Sequence, residues 1–270
     1  MLRSLKELDG YTVSATDGEI GRVVDFLLDD DHWTVRHLVV QTGRALFLEG
    51  HRVLISPISF RKVEWSAQRF HLALTMDRIK NSPDVDVDKP VSRQHERDYN
   101  GYYGFPLYGR HSGVWGMGAY PGLLAAGTLD DGPAEHPDKS GDVHLRSANE
   151  VRGYHVQGTD DAIGHVEDFI VDDETWNVRY LVIDTSSWWF GKRVVLSPHW
   201  ANRVNWGERK VYVDMSRQSI KDGPEWTPTM GVHREFERRI HEYYGRPEYW
   251  SGGQPSEKTR PPQDTERRPG

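Results

Sequence analysis

The residues best placed to do chemistry are acids, histidines and aromatic rings, because this chain of 270 residues contains no cysteine. That absence removes disulfides, thiolate metal sites and a cysteine nucleophile. Two acids recur at matching places ahead of arginines: Asp25 with Arg36, and Asp168 with Arg179. A hairpin centred between Asp30 and Asp31, or at the matching place in the second half, sets each acid opposite its arginine. Such a pair could line a charged pocket or hold a proton. The plainer expectation, adopted here, is a structural cross-strand ion pair contributing about 0.2–1 kcal/mol. An arginine neighbour lowers a carboxyl pKa, which makes a poor general base near neutrality.

Other reactive residue types lack the spacing that chemistry needs. Asp29-Asp30-Asp31 and Asp172-Asp173-Glu174 could collect a divalent cation. Calcium, however, wants six or more oxygens in a spaced loop, so these read as solvated turns. The 13 histidines include no His-x-x-x-His or His-Glu-x-x-His pair, and no metal or cofactor is expected. Ser56-Pro57 and Ser197-Pro198 lack the glycine frame of a nucleophile elbow. The reading is therefore non-enzymatic. What remains is aromatic: Trp188-Trp189-Phe190, Tyr102-Tyr103 and Tyr243-Tyr244. Adjacent rings suit a protein interface, where aromatic anchors carry much of the binding energy. Packing within the chain is the competing explanation, and both stay open.

These residues sit in a sequence that says the same thing twice. Leu2-Arg3-Ser4 returns as Leu145-Arg146-Ser147, Gly10-Tyr11 as Gly153-Tyr154, Asp25-Phe26 as Asp168-Phe169, and Leu38-Val39 as Leu181-Val182. Ser56-Pro57, Trp65 and Tyr102-Tyr103-Gly104 also recur, after a small change in the length of one loop. Each copy is domain-sized rather than the short unit of a solenoid.

Within each copy the pattern is of short strands followed by helix. Phe70-His71-Leu72-Ala73-Leu74 alternates as a strand with one buried face. Arg52-Val53-Leu54-Ile55 and Arg193-Val194-Val195-Leu196 run into Ser-Pro, which ends a strand. About six short strands per copy imply a small closed barrel, since closure removes exposed edges. Asp77 to Lys80 and Arg217 to Lys221 each read as one helical turn. Helical spacing then recurs through His95, Tyr99 and Tyr102, and through Phe236, Ile240 and Tyr243, with Gly104 and Gly245 as C-terminal caps.

The resulting expectation is mainly β. It comprises a barrel over 1–82, a helical extension over 83–108, a Gly/Pro-rich linker over 109–143, a second barrel over 144–223, a second extension over 224–250, and a disordered tail over 251–270. The repeat predicts an intramolecular pseudo-dimer and leaves homo-oligomerisation open. The chain carries 34 Lys and Arg against 41 Asp and Glu, a net charge of −7. That balance disfavours broad nucleic-acid binding. No apolar run reaches the length of a membrane span, and no signal peptide is visible, so a cytoplasmic location is expected.

The ordered set Gly10-Tyr11, Asp17-Gly18-Glu19-Ile20-Gly21, Val24-Asp25-Phe26, Trp33-Thr34-Val35-Arg36-His37-Leu38-Val39-Val40 and Leu54-Ile55-Ser56-Pro57 resembles the PRC-barrel domain. So does the second copy, from Ile163-Gly164 to Ser197-Pro198. That family includes the cytoplasmic part of the photosynthetic reaction centre H subunit and the C-terminal half of a ribosome maturation factor. The Tyr-Tyr-Gly extensions are similar to those of stand-alone bacterial PRC-barrel proteins. The chain shows neither the membrane helix of the H subunit nor the preceding barrel of the maturation factor. What the resemblance implies is the fold and a non-catalytic docking role towards an unidentified protein partner, stress-related or tied to an assembly. Ribosome or RNA association and membrane-peripheral support of electron transfer are the alternatives it suggests.

Overall fold

The computed structural model describes residues 1–43, 51–83, 91–105, 121, 143–185 and 191–250. The first half contains β1 (Leu2–Ser4), α1 (Leu5–Leu8), β2 (Thr12–Ser14), β3 (Glu19–Asp29), β4 (Val35–Thr42), β5 (Arg52–Ile55), β6 (Phe60–Glu64) and β7 (Arg69–Leu72). After these come α2 (Met76–Lys80), β8 (Val91–Ser92) and α3 (Arg93–Tyr103). The second half repeats the series as β9 (Val143–Ser147), α4 (Ala148–Val151), β10 (His155–Gln157), β11 (Ala162–Asp172), β12 (Val178–Asp184), β13 (Arg193–Leu196), β14 (Ala201–Asn205), β15 (Lys210–Val213), α5 (Arg217–Asp222) and α6 (Arg234–Tyr243). The protein is mainly β, in two sheets.

The two sheets share one topology. Their paths are β5-β4-β3-β2-β7-β6 and β13-β12-β11-β10-β15-β14. Within each path the β2–β7 and β10–β15 pairs are parallel and the rest antiparallel. Val35 to Val40 is buried throughout, as a strand covered on both faces should be. The repeated glycines Gly21 and Gly164 have a steric reason. A Cβ there would lie 2.0 Å from the Gln41 carbonyl oxygen or 2.1 Å from that of Asp184, so only glycine lets β3 and β11 approach their neighbours.

Each half completes its sheet with the other half's first strand. β1 pairs antiparallel with β11, Leu2 opposite Asp172 and Ser4 opposite Ile170. Reciprocally, β9 pairs with β3, Leu145 opposite Asp29 and Ser147 opposite Leu27. The tips of the two long hairpins also meet. Val35 N–H donates to the Trp176 carbonyl at 2.9 Å, and Val178 N–H to that of Trp33 at 2.7 Å. Both tryptophans have left-handed backbones, φ 54° and 60°, which cost a bulky residue about 1–2 kcal/mol. That conformation delivers each indole into the opposite half. Trp176 packs on Phe60 and Phe70, with centroids 5.4 and 6.1 Å away, and Trp33 on Trp206 at 6.3 Å.

Two expectations are corrected here. The repeat suggested two separate cores, but the buried apolar side chains form one cluster running through both halves. The exchange of strands and tryptophans is the reason. Nor do the sheets close into barrels: β5 and β6 are the two ends of their path, as are β13 and β14. A 3-10 turn, Pro57–Ser59 or Pro198–Trp200, carries the chain from one end to the other. Closure is unnecessary for β5 because a side chain covers its edge. The Tyr99 hydroxyl donates to the Leu54 carbonyl at 2.9 Å and accepts from Ser56 N–H at 3.2 Å. The Arg193 carbonyl of β13 accepts from Trp226 N–H at 2.9 Å. Residues 109–120 and 122–142, expected as linker, and the tail 251–270 lie outside the described residues.

A shared core predicts one cooperative unfolding transition by calorimetry, not two. Trp176→Ala should lower the stability of the whole protein by about 3–5 kcal/mol. Two resolved transitions, one unaffected by Trp176→Ala, would contradict the shared core.

Candidate functional site

The repeated acids belong to the seam between the halves. Ser4 caps α1, its Oγ accepting from Glu7 N–H at 3.3 Å, while its hydroxyl donates to Asp168 Oδ2 at 2.5 Å. Ser147 caps α4 in the same way, through Glu150 N–H at 3.0 Å, and donates to Asp25 Oδ2 at 2.5 Å. Backbone amides donate to the other carboxylate oxygens. Asp25 Oδ1 accepts from Phe26 and Asn149 at 2.8 and 3.0 Å, and Asp168 Oδ1 accepts from Lys6 at 3.2 Å. Arg3 bonds Asp173 at 2.8 Å and lies over Trp65 at 3.6 Å. Its counterpart Arg146 reaches Asp30 at 3.5 Å and lies over Trp206 at 4.7 Å. One guanidinium serves the acids near the middle of the seam. Arg152 Nη1 meets Asp9 Oδ2 at 3.1 Å and Asn149 Oδ1 at 2.6 Å, and its Nη2 lies 3.6 Å from Asp168.

This overturns the expected ion pairs. Asp25 faces Val39 and Asp168 faces Val182, not Arg36 and Arg179. The turn is longer than assumed: Asp29 N–H bonds the Thr34 carbonyl and Trp33 N–H the Asp29 carbonyl, enclosing Asp30–Trp33. A bulge between Leu27 and Leu28, matched between Ile170 and Val171, shifts the register again before Asp25 and Asp168 are reached. The pKa direction is reversed as well. Burial raises Asp25 and Asp168 above the ordinary carboxyl value, against the pull of the serine hydroxyls, the amides and Arg152. Burial also raises Asp9, against Arg152. Arg36 instead bonds Glu96 at 3.1 Å, with Asp29 at 3.9 Å. Arg179 meets Asp172 at 3.3 Å and stacks 4.3 Å from the Tyr249 ring centre.

A second polar cluster lies where α6 docks on β12. The Tyr180 hydroxyl sits 3.1 Å from both Glu237 Oε1 and His241 Nε2. His241 Nδ1 lies 2.8 Å from the Pro247 carbonyl; a carbonyl can only accept, so Nδ1 carries a proton. Tyr249 donates to Glu237 Oε1 at 2.6 Å, and Arg234 meets Oε2 at 3.0 Å. Tyr180, Glu237 and His241 are 0, 2 and 3 % exposed. Burial, then the Glu237 charge, holds the Tyr180 hydroxyl far above its ordinary value. Burial and the bond to Glu237 push Tyr249 up to about 12. The corresponding first-half positions hold His37, Glu96 and Asn100, and His37 sets its ring edge-on to Tyr99 at 4.8 Å. Sequence reasoning missed this cluster. Its signal was Glu237 and His241 spaced four apart on one face, with Glu96 matching Glu237.

The candidate interface tyrosines latch the helices down. Tyr102 donates to the Arg78 carbonyl at 2.8 Å, and Tyr243 to that of Ser219 at 3.0 Å. Tyr103 is buried and stacks on Phe105 at 5.3 Å, while Tyr244 packs on Trp200 at 5.6 Å. Tyr102 and Tyr243 keep an exposed edge. Trp188, Trp189 and Phe190 lie outside the described residues. A shallow groove of 520 Å³ runs along the outer side of α6, lined by Met230, His233, Phe236, Arg239 and Glu242 among others. Ligating atoms of Asp29, Asp31 and His32 approach within 4.8 Å of one another. Asp29 Oδ1 there already accepts from the turn amides of Asp31 and His32, at 3.0 and 2.9 Å.

Comparison with known families agrees with this architecture. The PRC-barrel domain family matches residues 144–219, from within β9 to within α5. The second half therefore contains a PRC-barrel domain, a family of interaction and assembly modules. No curated protein matches the chain. No helix among the described residues is long and apolar enough to cross a membrane.

The carboxyls should titrate with opposite signs. Asp168 is raised in the fold, so its contribution to stability is full below the ordinary value near 3.8 and is lost as pH climbs through the higher folded value. The margin of the native chain over Asp168→Asn should therefore shrink from pH 3 towards neutrality. Asp29 is lowered, against the cost of burial, by hydrogen bonds to His32 and by the charge of Arg36. Its contribution is present above 3.8 and lost as pH falls through the depressed value, so the margin over Asp29→Asn should shrink on acidification. Urea titrations at several pH values read both.

Proposed function

We propose that this chain is a non-enzymatic adaptor built from two PRC-barrel modules, the first half being a second copy of the domain matched in the second. The shared strand order of the sheets supports the tandem reading. One observation carries the adaptor reading: the fold's buried titratable groups are used to hold its parts together. Asp25 and Asp168 take serine hydroxyls from opposite halves, and Glu237, His241 and Tyr180 are sealed between helix and sheet. Chemistry on a substrate needs such groups in an accessible cleft.

Docking then falls to the surface. Trp188-Trp189-Phe190 is the aromatic candidate, and the groove beside α6, with Met230 46 % exposed, is the other. The partner is a protein, and the chain works in the cytoplasm.

Crosslinking mass spectrometry in the native cell tests this. Trp189→Ala should remove a defined set of partner crosslinks while circular dichroism stays unchanged. An identical set of crosslinks in the variant would remove that surface from the reading. Crosslinks chiefly to ribosomal components, with salt-sensitive co-sedimentation, would favour the RNA-associated alternative instead.

A further inference from the structure

The seam is built on reciprocal contacts: the exchanged strands, the serine–aspartate bonds and the hairpin-tip bonds made by the first half on the second each have a counterpart made the other way, as in a twofold dimer. On such an axis a residue meets its own counterpart. Two positions do so here. Thr34 pairs with Asn177, its equivalent in the other copy, through an antiparallel bridge and a 2.6 Å side-chain hydrogen bond. Asp9 meets Arg152, again its equivalent, at 3.1 Å. Most seam positions are identical in the two copies, including the Leu-Arg-Ser strands, Asp25 and Asp168, and Trp33 and Trp176. At the axis the copies differ: the neutral Thr34 meets the neutral Asn177, and Asp9 meets the oppositely charged Arg152.

We propose that Asp9 and Arg152 decide which halves pair, directing each first half to a second half and rejecting the pairing of like halves between two chains. Two first halves brought together across this seam would oppose Asp9 to Asp9, with both copies of Asp25 beside them and no guanidinium. Two second halves would oppose Arg152 to Arg152. The two events are linked, because chains that pair through their first halves leave only their second halves to pair. The side chains of Asp9 and Arg152 are 35 and 13 % exposed, so solvent screens the contact only in part. Like charges in such a place suppress wrong partners.

Cysteines report the choice, since the chain has none of its own. In a Thr34→Cys/Asn177→Cys chain, unlike pairing joins 34 to 177, whether within one chain or between two. Like pairing joins 34 to 34 and 177 to 177 between chains, and peptide mapping by mass spectrometry tells the two bond sets apart. Covalent connection of the halves favours unlike pairing within a chain at low concentration, so refolding in a thiol–disulfide buffer is done near 1 mM chain, about the effective concentration of two connected sites. The cysteine chain alone should give 34–177 bonds. Adding Arg152→Asp should raise the ratio of like bonds to 34–177 bonds about tenfold or more, equivalent to about 1.4 kcal/mol of lost preference. Adding Asp9→Arg as well should restore 34–177 bonds, because Asp25 then takes the place that Asp168 holds beside Arg152. Like bonds predominating in the parent, no rise with Arg152→Asp, or like bonds persisting in the reciprocal chain overturns the proposal. Should Arg152→Asp fail to fold, the reciprocal chain decides: folding with 34–177 bonds supports the proposal, and failing to fold overturns it.

Discussion

Everything in this fold depends on two short strands being in the wrong half. β3 and β11 are long, and their ends nearest the hairpin tips project beyond their own sheets' short strands. Without a partner those ends would present bare backbone amides and carbonyls, a costly and adhesive edge. β9 covers the end of β3, and β1 the end of β11. The covering strand brings its own cap. The serine that starts the next helix also donates to the acid below it, so backbone pairing, helix initiation and carboxylate solvation share one residue. Exchange of this kind makes each half an incomplete body, and the single core follows from it.

The acids at the seam are an odd choice for stability alone. Burial works against their charge, and a hydrophobic pair of similar shape is often as stable. Their value is directional. A carboxylate that accepts from a serine hydroxyl and a backbone amide tolerates only one register, whereas apolar contacts would tolerate several. The same logic explains Arg3 and Arg146. Each stacks on a tryptophan of its own half and bonds an acid of the other, and that double demand leaves the strand little freedom to slide.

Much of this was legible in the sequence, though not its meaning. The repeat, the mainly β composition, the single-turn helices and the Gly104 and Gly245 caps all read correctly from pattern, since those features are local. The recurrence of Leu-Arg-Ser, Asp25, Asp30, Trp33 and Trp65 was visible too. Those residues serve the contact between the two halves rather than either half alone. A repeat shows which residues matter but not whether their partner is in the same copy. The hairpin pairing failed for a smaller reason. A turn longer by two residues and one bulge move every opposed pair, and neither leaves a signature stronger than a left-handed tryptophan, which sequence does not announce. The Tyr180–Glu237–His241 cluster was hidden because polar residues on a docking face interrupt the apolar stripe by which such faces are recognised.

The copies have diverged unevenly, and the pattern separates scaffold from freedom. Along the exchanged strands they agree almost residue for residue. Beneath the helical extensions they do not. Arg36 and Glu96 form the buried ion pair in the first half. In the second, Glu237 takes hydroxyls from Tyr180 and Tyr249 while Arg179 turns to Asp172. Both solutions satisfy a buried glutamate, so the helix is anchored in either case, but they present different chemistry at the surface above. The end of the second extension folds back there, setting Tyr249 and Trp250 under Arg234. A symmetric seam fixes how the halves meet, and asymmetric helices leave each half free to face a different neighbour. That division is what the proposed adaptor role would require, and a twofold homodimer of either half could not supply it.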